Sequence, residues 1–267
     1  MKNKKTPPDY MWETLKWPEI AERLQVVDTA ILPCGALEQH GPHLPLDLDY
    51  FDAAYLAKEV AKACKDPKPF VLPTIPYGVS YHHSDFKGTI CLTNQSFSAI
   101  VYDIGMSLAH NGIKKIVILN GHGDNAPALN YAAQMINRDA KIFVCVETGE
   151  TSDVDVYKLT TTQNNDIHAG EIETSTALAL RPELVDMEKA EDHTLDLDNE
   201  YLDFTSDRGV SWYVHTKRLS KSGVMGNPTL GTAEKGKKIW KIMIRNMTEF
   251  VETIKNTPSD NLYKNRY

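Results

Sequence analysis

Between Ala30 and Asp52 the chain reads AILPCGALEQHGPHLPLDLDYFD. Apolar residues lead into a turn that carries Glu38, His40, His43, Asp47, Asp49 and Asp52, all able to bind a metal or carry a proton. Pro33, Pro42 and Pro45, with Gly35 and Gly41, hold this turn in fixed, non-helical shapes. A solvated acidic loop has no need of such stiffening. A site that keeps carboxylates and imidazoles a few ångströms apart does. Glu38 and His40 are two apart, so in extended backbone both project to one side. Asp49 lies within reach of them if the loop folds back. Oxygen and nitrogen donors without a thiolate suit zinc, manganese or iron(II).

Two further clusters follow. His122 stands in Asn120-Gly-His-Gly-Asp-Asn125, where flanking glycines leave the imidazole unobstructed. A phosphate-cradling loop is the competing reading, but the P-loop lysine and the G-x-G-x-x-G spacing are both missing. His168 and Glu173 lie in IHAGEIETS. Alone, His168 reads as a helix cap or surface residue, and acids in a first helical turn are favourable anyway. In company with the other clusters, His168 and Glu173 become candidates for proton transfer. Glu38, His40, Asp49 and His122 make four ligands, with Asp124 or Glu173 as a fifth. One ion takes three or four of these; an aspartate able to bridge implies two. His82, His83 and Asn125 are candidates for substrate contact, and His43 for stiffening the turn. His110, His193 and His215 carry no local signal. No Gly-x-Ser-x-Gly elbow is present, and no cysteine has a histidine beside it, so a covalent nucleophile is not expected.

Strands and helices must position these groups. Val26–Leu32, Phe70–Ile75, Thr89–Thr93, Ile113–Leu119 and Ala140–Glu147 read as strands. Trp12–Leu24, Tyr50–Cys64, Gln95–Asn111 (with Asn94 as N-cap), Ala126–Asn137, a segment ending at Ala179, and Thr232–Lys255 read as helices. The alternation predicts an α/β fold with a doubly wound, mostly parallel sheet and helices on both faces. In such sheets the site lies beyond the carboxyl ends of the strands, where the first two clusters fall. Residues 1–11 read as a loose tail, 150–167 as a loop and 186–210 as an acidic, irregular excursion or subunit contact. No repeat or linker is visible, so the 267 residues are expected to form one domain.

The remaining composition excludes more than it identifies. A net charge of −7 and no basic run argue against nucleic acid or anionic membrane as partners. No apolar run approaches a membrane span, and the start has lysines but no apolar core for a secretory leader. The four dispersed cysteines read as reduced thiols, so a cytoplasmic location is expected.

In their order, GALEQHGPHLPLDLD, YGVSYHHSDFKGTI, NGHGDN, HAGEIETS and GVMGNP resemble the creatininase (creatinine amidohydrolase) family. The resemblance implies a dinuclear zinc or manganese centre, with iron also possible. Glu38 and His122 would hold one ion and His40 the other, with Asp49 bridging and His168 catalytic. It implies amide hydrolysis of a small polar substrate by a metal-bridging hydroxide, at a C–N bond other than a peptide bond. A homo-oligomer, a hexamer in known members, is also implied. The chain has Asp124 where creatininases carry glutamate, and no tryptophan between Trp17 and Trp212. That points from creatinine toward another cyclic amide or a formamide on a pyrimidine. The alternative from another class is a non-catalytic α/β protein binding a small molecule or phosphate.

Overall fold

The computed structural model describes residues 9–160, 166–204 and 208–262. Four parallel strands form one sheet in the order β2-β1-β3-β4. They are β1 (Thr29–Cys34), β2 (Phe70–Val71), β3 (Lys115–Asn120) and β4 (Phe143–Glu147). β1 and β3 are buried along their whole length, as central parallel strands must be. Their side chains alternate between two cores. Ala30, Leu32, Ile116 and Ile118 face α3 (Asn94–His110) and α4 (Ala126–Ala140), where Phe97, Val101, Leu129 and Ile136 are buried. Ile31, Val117 and Leu119 face α2 (Leu48–Ala63) and α7 (Ala233–Asn256), through Leu56, Val60, Trp240, Met247 and Val251. Helices therefore cover both faces, as the alternating pattern predicts.

Several expected elements differ. The helix expected over 12–24 is a 3-10 turn, Trp12–Thr14, followed by α1 (Trp17–Arg23), because Pro18 fits only the first helical turn. Thr93, not Asn94, caps α3, accepting from the Ser96 amide at 3.1 Å. Thr89–Thr93 is not a strand; it makes one antiparallel bridge, Leu37 to Ile90. β2 is short because Pro73 has no N–H for the ladder, and pairing returns only as the Cys34–Ile75 bridge. The end of the expected tail is packed: Tyr10 is buried and its carbonyl accepts from the Val71 amide at 2.8 Å. Residues 1–8 of that tail lie outside the described residues. In the expected loop over 150–167, Asp153–Tyr157 forms a short helix, α5, while 161–165 are not described. Residues 186–204 are irregular, as read, with one 3-10 turn at Met187–Lys189. α6 (Glu171–Leu180) packs against α7.

Candidate metal centre

The loops that follow β1 and β3 meet at the carboxyl edge of the sheet. Asn125 locks them together. It is fully buried; its Oδ1 accepts from the Val79 amide at 2.8 Å and its Nδ2 donates to the Gly35 carbonyl at 3.1 Å. Asn125 was expected to touch substrate. Its amide is instead spent on backbone, because three chain segments cross here and their polar groups have no water. Gly78 permits the crossing: a Cβ there would lie 2.4 Å from Asn125 Oδ1 and 2.7 Å from the Gly35 carbonyl.

Around this clamp the expected ligands converge. The His40 imidazole, wholly buried, places Nε2 3.1 Å from Asp49 Oδ1 and 3.8 Å from Glu173 Oε1. The other Asp49 oxygen lies 3.4 Å from His122 Nδ1. Glu38 sends Oε2 to 3.3 Å from His122 Nε2, and Oε1 to 3.4 Å from His83 Nε2 and 3.7 Å from His168 Nδ1. Three donor sets lie with their atoms within 4.8 Å of one another: Glu38–His82–His122, His40–Asp49–Glu173 and Glu38–His40–His168. Asp49 touches both of the first two sets, one oxygen to each.

The electrostatics of the cluster favour a cation. Both Glu38 oxygens and Asp49 Oδ2 are buried without a hydrogen bond. Buried charge in that condition is costly unless paired or coordinated. Burial pushes the Glu38 carboxyl up to about 7, against the pull of His122. For His40, burial opposes the charged form, yet Asp49, Glu173 and Glu38 outweigh it and drive the imidazole to about 10. His122 rises similarly, Glu38 and Asp49 overcoming burial. Glu38, His40 and His122 thus hold protons more tightly than in water, while burial and neighbouring imidazoles push His83 and His168 the other way. The cluster's oxygen and imidazole donors fit a divalent ion such as zinc, manganese or iron(II).

His168 sits apart from the carboxylates in character. It is held by an antiparallel bridge to Met225, with mutual backbone bonds of 2.8 and 3.0 Å. Ala169 beside it has φ +53°, an uncommon conformation for a residue with a Cβ, and its amide donates to Glu173 Oε2. Burial, with His40 and His83 close by, keeps the His168 imidazole well below its ordinary value, hence neutral. Its Nε2 lies 2.7 Å from the Gln39 carbonyl, so that nitrogen carries the hydrogen and Nδ1 is left with a lone pair facing Glu38.

Other expected residues take supporting places. Asp124 is on the rim, 3.0 Å from His82 Nδ1, and stands behind that imidazole. His82, a candidate for substrate contact from the sequence, joins Glu38 and His122 as a donor, and His83, the other candidate, enters the buried cluster. His43 Nε2 pairs with Thr174 Oγ1 at 3.0 Å, and Asp47 receives both its bonds from Arg181 at 2.9 Å, so both tie the turn to its surroundings. Asp52 accepts from Thr176 at 3.2 Å, and burial lifts its carboxyl to about 8.

Gln39 went unrecognised. Its side-chain NH2 donates to His83 Nδ1 at 2.8 Å and to the Gly223 carbonyl at 3.1 Å, while its own backbone carbonyl accepts from His168 Nε2, so this one residue braces two imidazoles. Extended backbone would turn it away from Glu38 and His40, and no composition signal marks it. Also missed were Phe204 and Trp212, which line a cavity of about 220 Å³ over the cluster, together with His82, His83, His122, Asp124, His168 and Glu173.

The creatininase family profile, described as creatinine amidohydrolase, matches residues 13–251. The chain belongs to the creatininase family. Its named members are hydrolases, among them an amidohydrolase acting on C–N bonds, and this chain is a hydrolase of that family. The chain is similar to a mycofactocin precursor peptide peptidase of Mycobacterium ulcerans (strain Agy99), 31% identical over 237 residues, covering 85% of this chain and 82% of that protein. It is 28% identical over 271 residues to a 3-dehydro-scyllo-inosose hydrolase of Thermotoga maritima (strain ATCC 43589 / DSM 3109 / JCM 10099 / NBRC 100826 / MSB8), covering 93% of this chain and 84% of that one. A solved structure of a manganese creatininase superposes with a TM-score of 0.79 at 23% identity, over 93% of this chain and 99% of the other, and shows the same fold.

Proposed function

We propose that the chain is a metal-dependent amidohydrolase with two divalent ions, cleaving a C–N bond in a small polar substrate. Glu38, His82 and His122 would hold one ion; His40, Asp49 and Glu173 the other. The observation that carries this reading is Asp49, whose two buried oxygens divide between His40 and His122. When bound, such ions acidify water and polarise a carbonyl oxygen.

The chain's own residues do the rest. His168 keeps its Nε2 hydrogen on the Gln39 carbonyl and presents the Nδ1 lone pair, so it can take a proton and return it to the departing nitrogen. Gln39 and the Met225 bridge fix the ring for that transfer. Burial of the cluster excludes bulk water, which strengthens each interaction inside it. Asp124 orients His82 and Asn125 clamps the loops.

The relatives include a peptide peptidase and a hydrolase of a cyclic polyol derivative, so the substrate stays within a broad class. Cyclic amides and formamidopyrimidines remain the first compounds to try, ahead of creatinine. A cytoplasmic location and a homo-oligomer belong to the same proposal. No helix among the described residues is long and apolar enough to cross a membrane.

The test pairs metal analysis with His168→Ala. Reconstituted wild type is expected to hold about two zinc, manganese or iron ions per chain. The variant is expected to keep them and lose about 10²-fold or more in turnover, as for a lost general acid or base. A chain that takes up no metal would refute the metal-dependent mechanism.

A further inference from the structure

The cavity over the cluster has two unlike sides. One is made of the imidazoles and carboxylates. The other is apolar, built by Phe204, Trp212, Tyr213, Val214, Leu219 and Met225. Phe204 and Trp212 stack with ring centroids 4.8 Å apart and planes 15° from parallel. Phe204 comes from the acidic excursion and Trp212 from just beyond its end, a stretch that neither the metal chemistry nor the fold explains.

This segment is built to hold the pair in place. Its turn is closed by Asn199, which accepts the Tyr201 amide on Oδ1 and the Leu202 amide on its carbonyl, each at 3.0 Å. The Val210 amide returns to the Tyr201 carbonyl at 2.9 Å, and Trp212 Nε1 donates to the Leu202 carbonyl at 2.9 Å. That last bond fixes the plane of the indole. Beyond it, His215 Nδ1 lies 3.1 Å from Asp85 Oδ2, and the Lys217 ammonium sits over the Phe86 ring. Asp85 and Phe86 stand two and three residues after His83, so the aromatic wall is anchored to the loop that supplies two of the imidazoles. Phe204 is nonetheless 41% exposed and Tyr213 65% exposed, an arrangement that leaves apolar rings in water beside a cavity. Apolar surface of that kind marks a place where something binds.

We propose that the Phe204–Trp212 pair is the specificity surface of the site, receiving a flat apolar group, such as an aromatic ring, attached close to the scissile amide. The inference rests on the hydrolase reading for the scissile bond alone; the aromatic contact stands on the stacked pair and the cavity. A flat ring gains most from a planar face it can lie against, whereas a purely polar substrate gains nothing from six apolar side chains. The carbonyl would then point to the imidazole and carboxylate side, which is the only polar side of the cavity among the described residues.

The experiment compares N-benzylformamide with N-methylformamide, which share the formyl group and an alkylamine leaving group. Both are offered to manganese-loaded full-length wild type, Trp212→Ala and Trp212→Phe. Wild type is expected to favour the benzyl compound by about tenfold or more in kcat/KM, mostly through KM. Trp212→Ala is expected to cut that preference to about twofold, the larger loss in kcat/KM falling on the benzyl compound, while Trp212→Phe, which keeps a flat ring, restores most of it. Should Trp212→Ala fail to fold, Phe204→Ala removes the outer ring and carries the same expectation. In parallel, saturation-transfer NMR on metal-free protein reads the phenyl protons of N-benzylformamide, expected to be saturated by wild type and not by Trp212→Ala. Binding lost in Trp212→Ala without hydrolysis by any protein would overturn a formamide as the scissile group and keep the aromatic wall. Equal preference and equal saturation in wild type and Trp212→Ala would overturn the wall. So would an unchanged preference with a smaller particle mass in light scattering, which would make the pair a contact between copies of the chain.

Discussion

Asp49→Asn tests the central geometry without needing a substrate. The change is isosteric but replaces one carboxylate oxygen by an NH2 that cannot coordinate. In the metal-free protein it removes one of three mutually repelling carboxylates and leaves His40 and His122 each with another acid nearby: Glu173 at 3.8 Å from His40, and Glu38 at 3.3 Å from His122. It also removes the leading charge that holds His40 protonated, so the metal-free variant is expected to be somewhat less stable than metal-free wild type, and the metal-induced rise is read against that baseline. Metal binding raises stability by about 2.7 kcal/mol per site when the free ion is at a hundred times its dissociation constant. For a chain of this size that is on the order of 5–10 °C in Tm for one site. Wild type with manganese or zinc is expected to show a rise of that order or more. Asp49→Asn is expected to lose most of the rise and to retain one ion per chain or none by mass-spectrometric metal analysis. The assay is differential scanning calorimetry with and without metal, beside the ion count. Two ions retained in Asp49→Asn with an undiminished rise in Tm would refute the sharing of Asp49 between the two donor sets.

Three further outcomes follow from named contacts. Asn125→Ala strands a buried Val79 N–H and a buried Gly35 carbonyl, so by chemical denaturation it is expected to lose about 2–5 kcal/mol; a loss under about 1 kcal/mol would mean the clamp is dispensable. Asp52 has a folded value near 8, above that of an unfolded carboxylate, so the folded state binds the extra proton and stability falls as pH rises from about 4 to 8. Asp52→Asn keeps an acceptor for Thr176 and removes the titration. The metal-free variant should therefore outlast wild type at pH 8 and match it near pH 4, and equal Tm profiles across that range would refute it. Gln39→Leu removes the amide donor to His83 while keeping similar bulk and the backbone carbonyl that holds His168. Turnover should drop about 10–100-fold with the ion count unchanged, as for lost orienting partners, and nitrogen-15 histidine spectra of the metal-free protein should show altered ring tautomers.

The parallel sheet was legible because its physics is periodic. IKKIVIL is apolar enough to be buried on both faces, and β3 is buried along all its length. The helices follow the same logic, and α7 runs within a residue of its expected ends because Thr232 caps one of them. Boundaries failed where proline chemistry competes with pattern. Pro73 ended β2 early, and Pro18 pushed the start of α1 along the chain. Thr89–Thr93 has strand-like composition but joins no strand of the sheet among the described residues and makes one bridge, Leu37 to Ile90.

The site was legible to the extent that its residues advertise themselves. Glutamate, aspartate and histidine in stiffened turns announce ligands, and Glu38, His40, Asp49, His122, His168 and Glu173 do converge. What sequence spacing cannot carry is the direction of a side chain once the backbone leaves regular structure. His82 and His83 are adjacent, which in a strand would send them to opposite faces. In the 3-10 turn Tyr81–His83 their rings lie with centroids 3.9 Å apart, and both reach the cluster. Gln39 shows the converse: a residue between two ligands, expected to point away, is turned inward by the Gly41 bend, where its Oε1 accepts the Gly41 amide at 2.9 Å and φ is +68°. One glycine thus converts a residue with no chemical signature into the brace of two imidazoles. The supporting layer of such a site is set by turn geometry, and it appears only when the turn itself is seen.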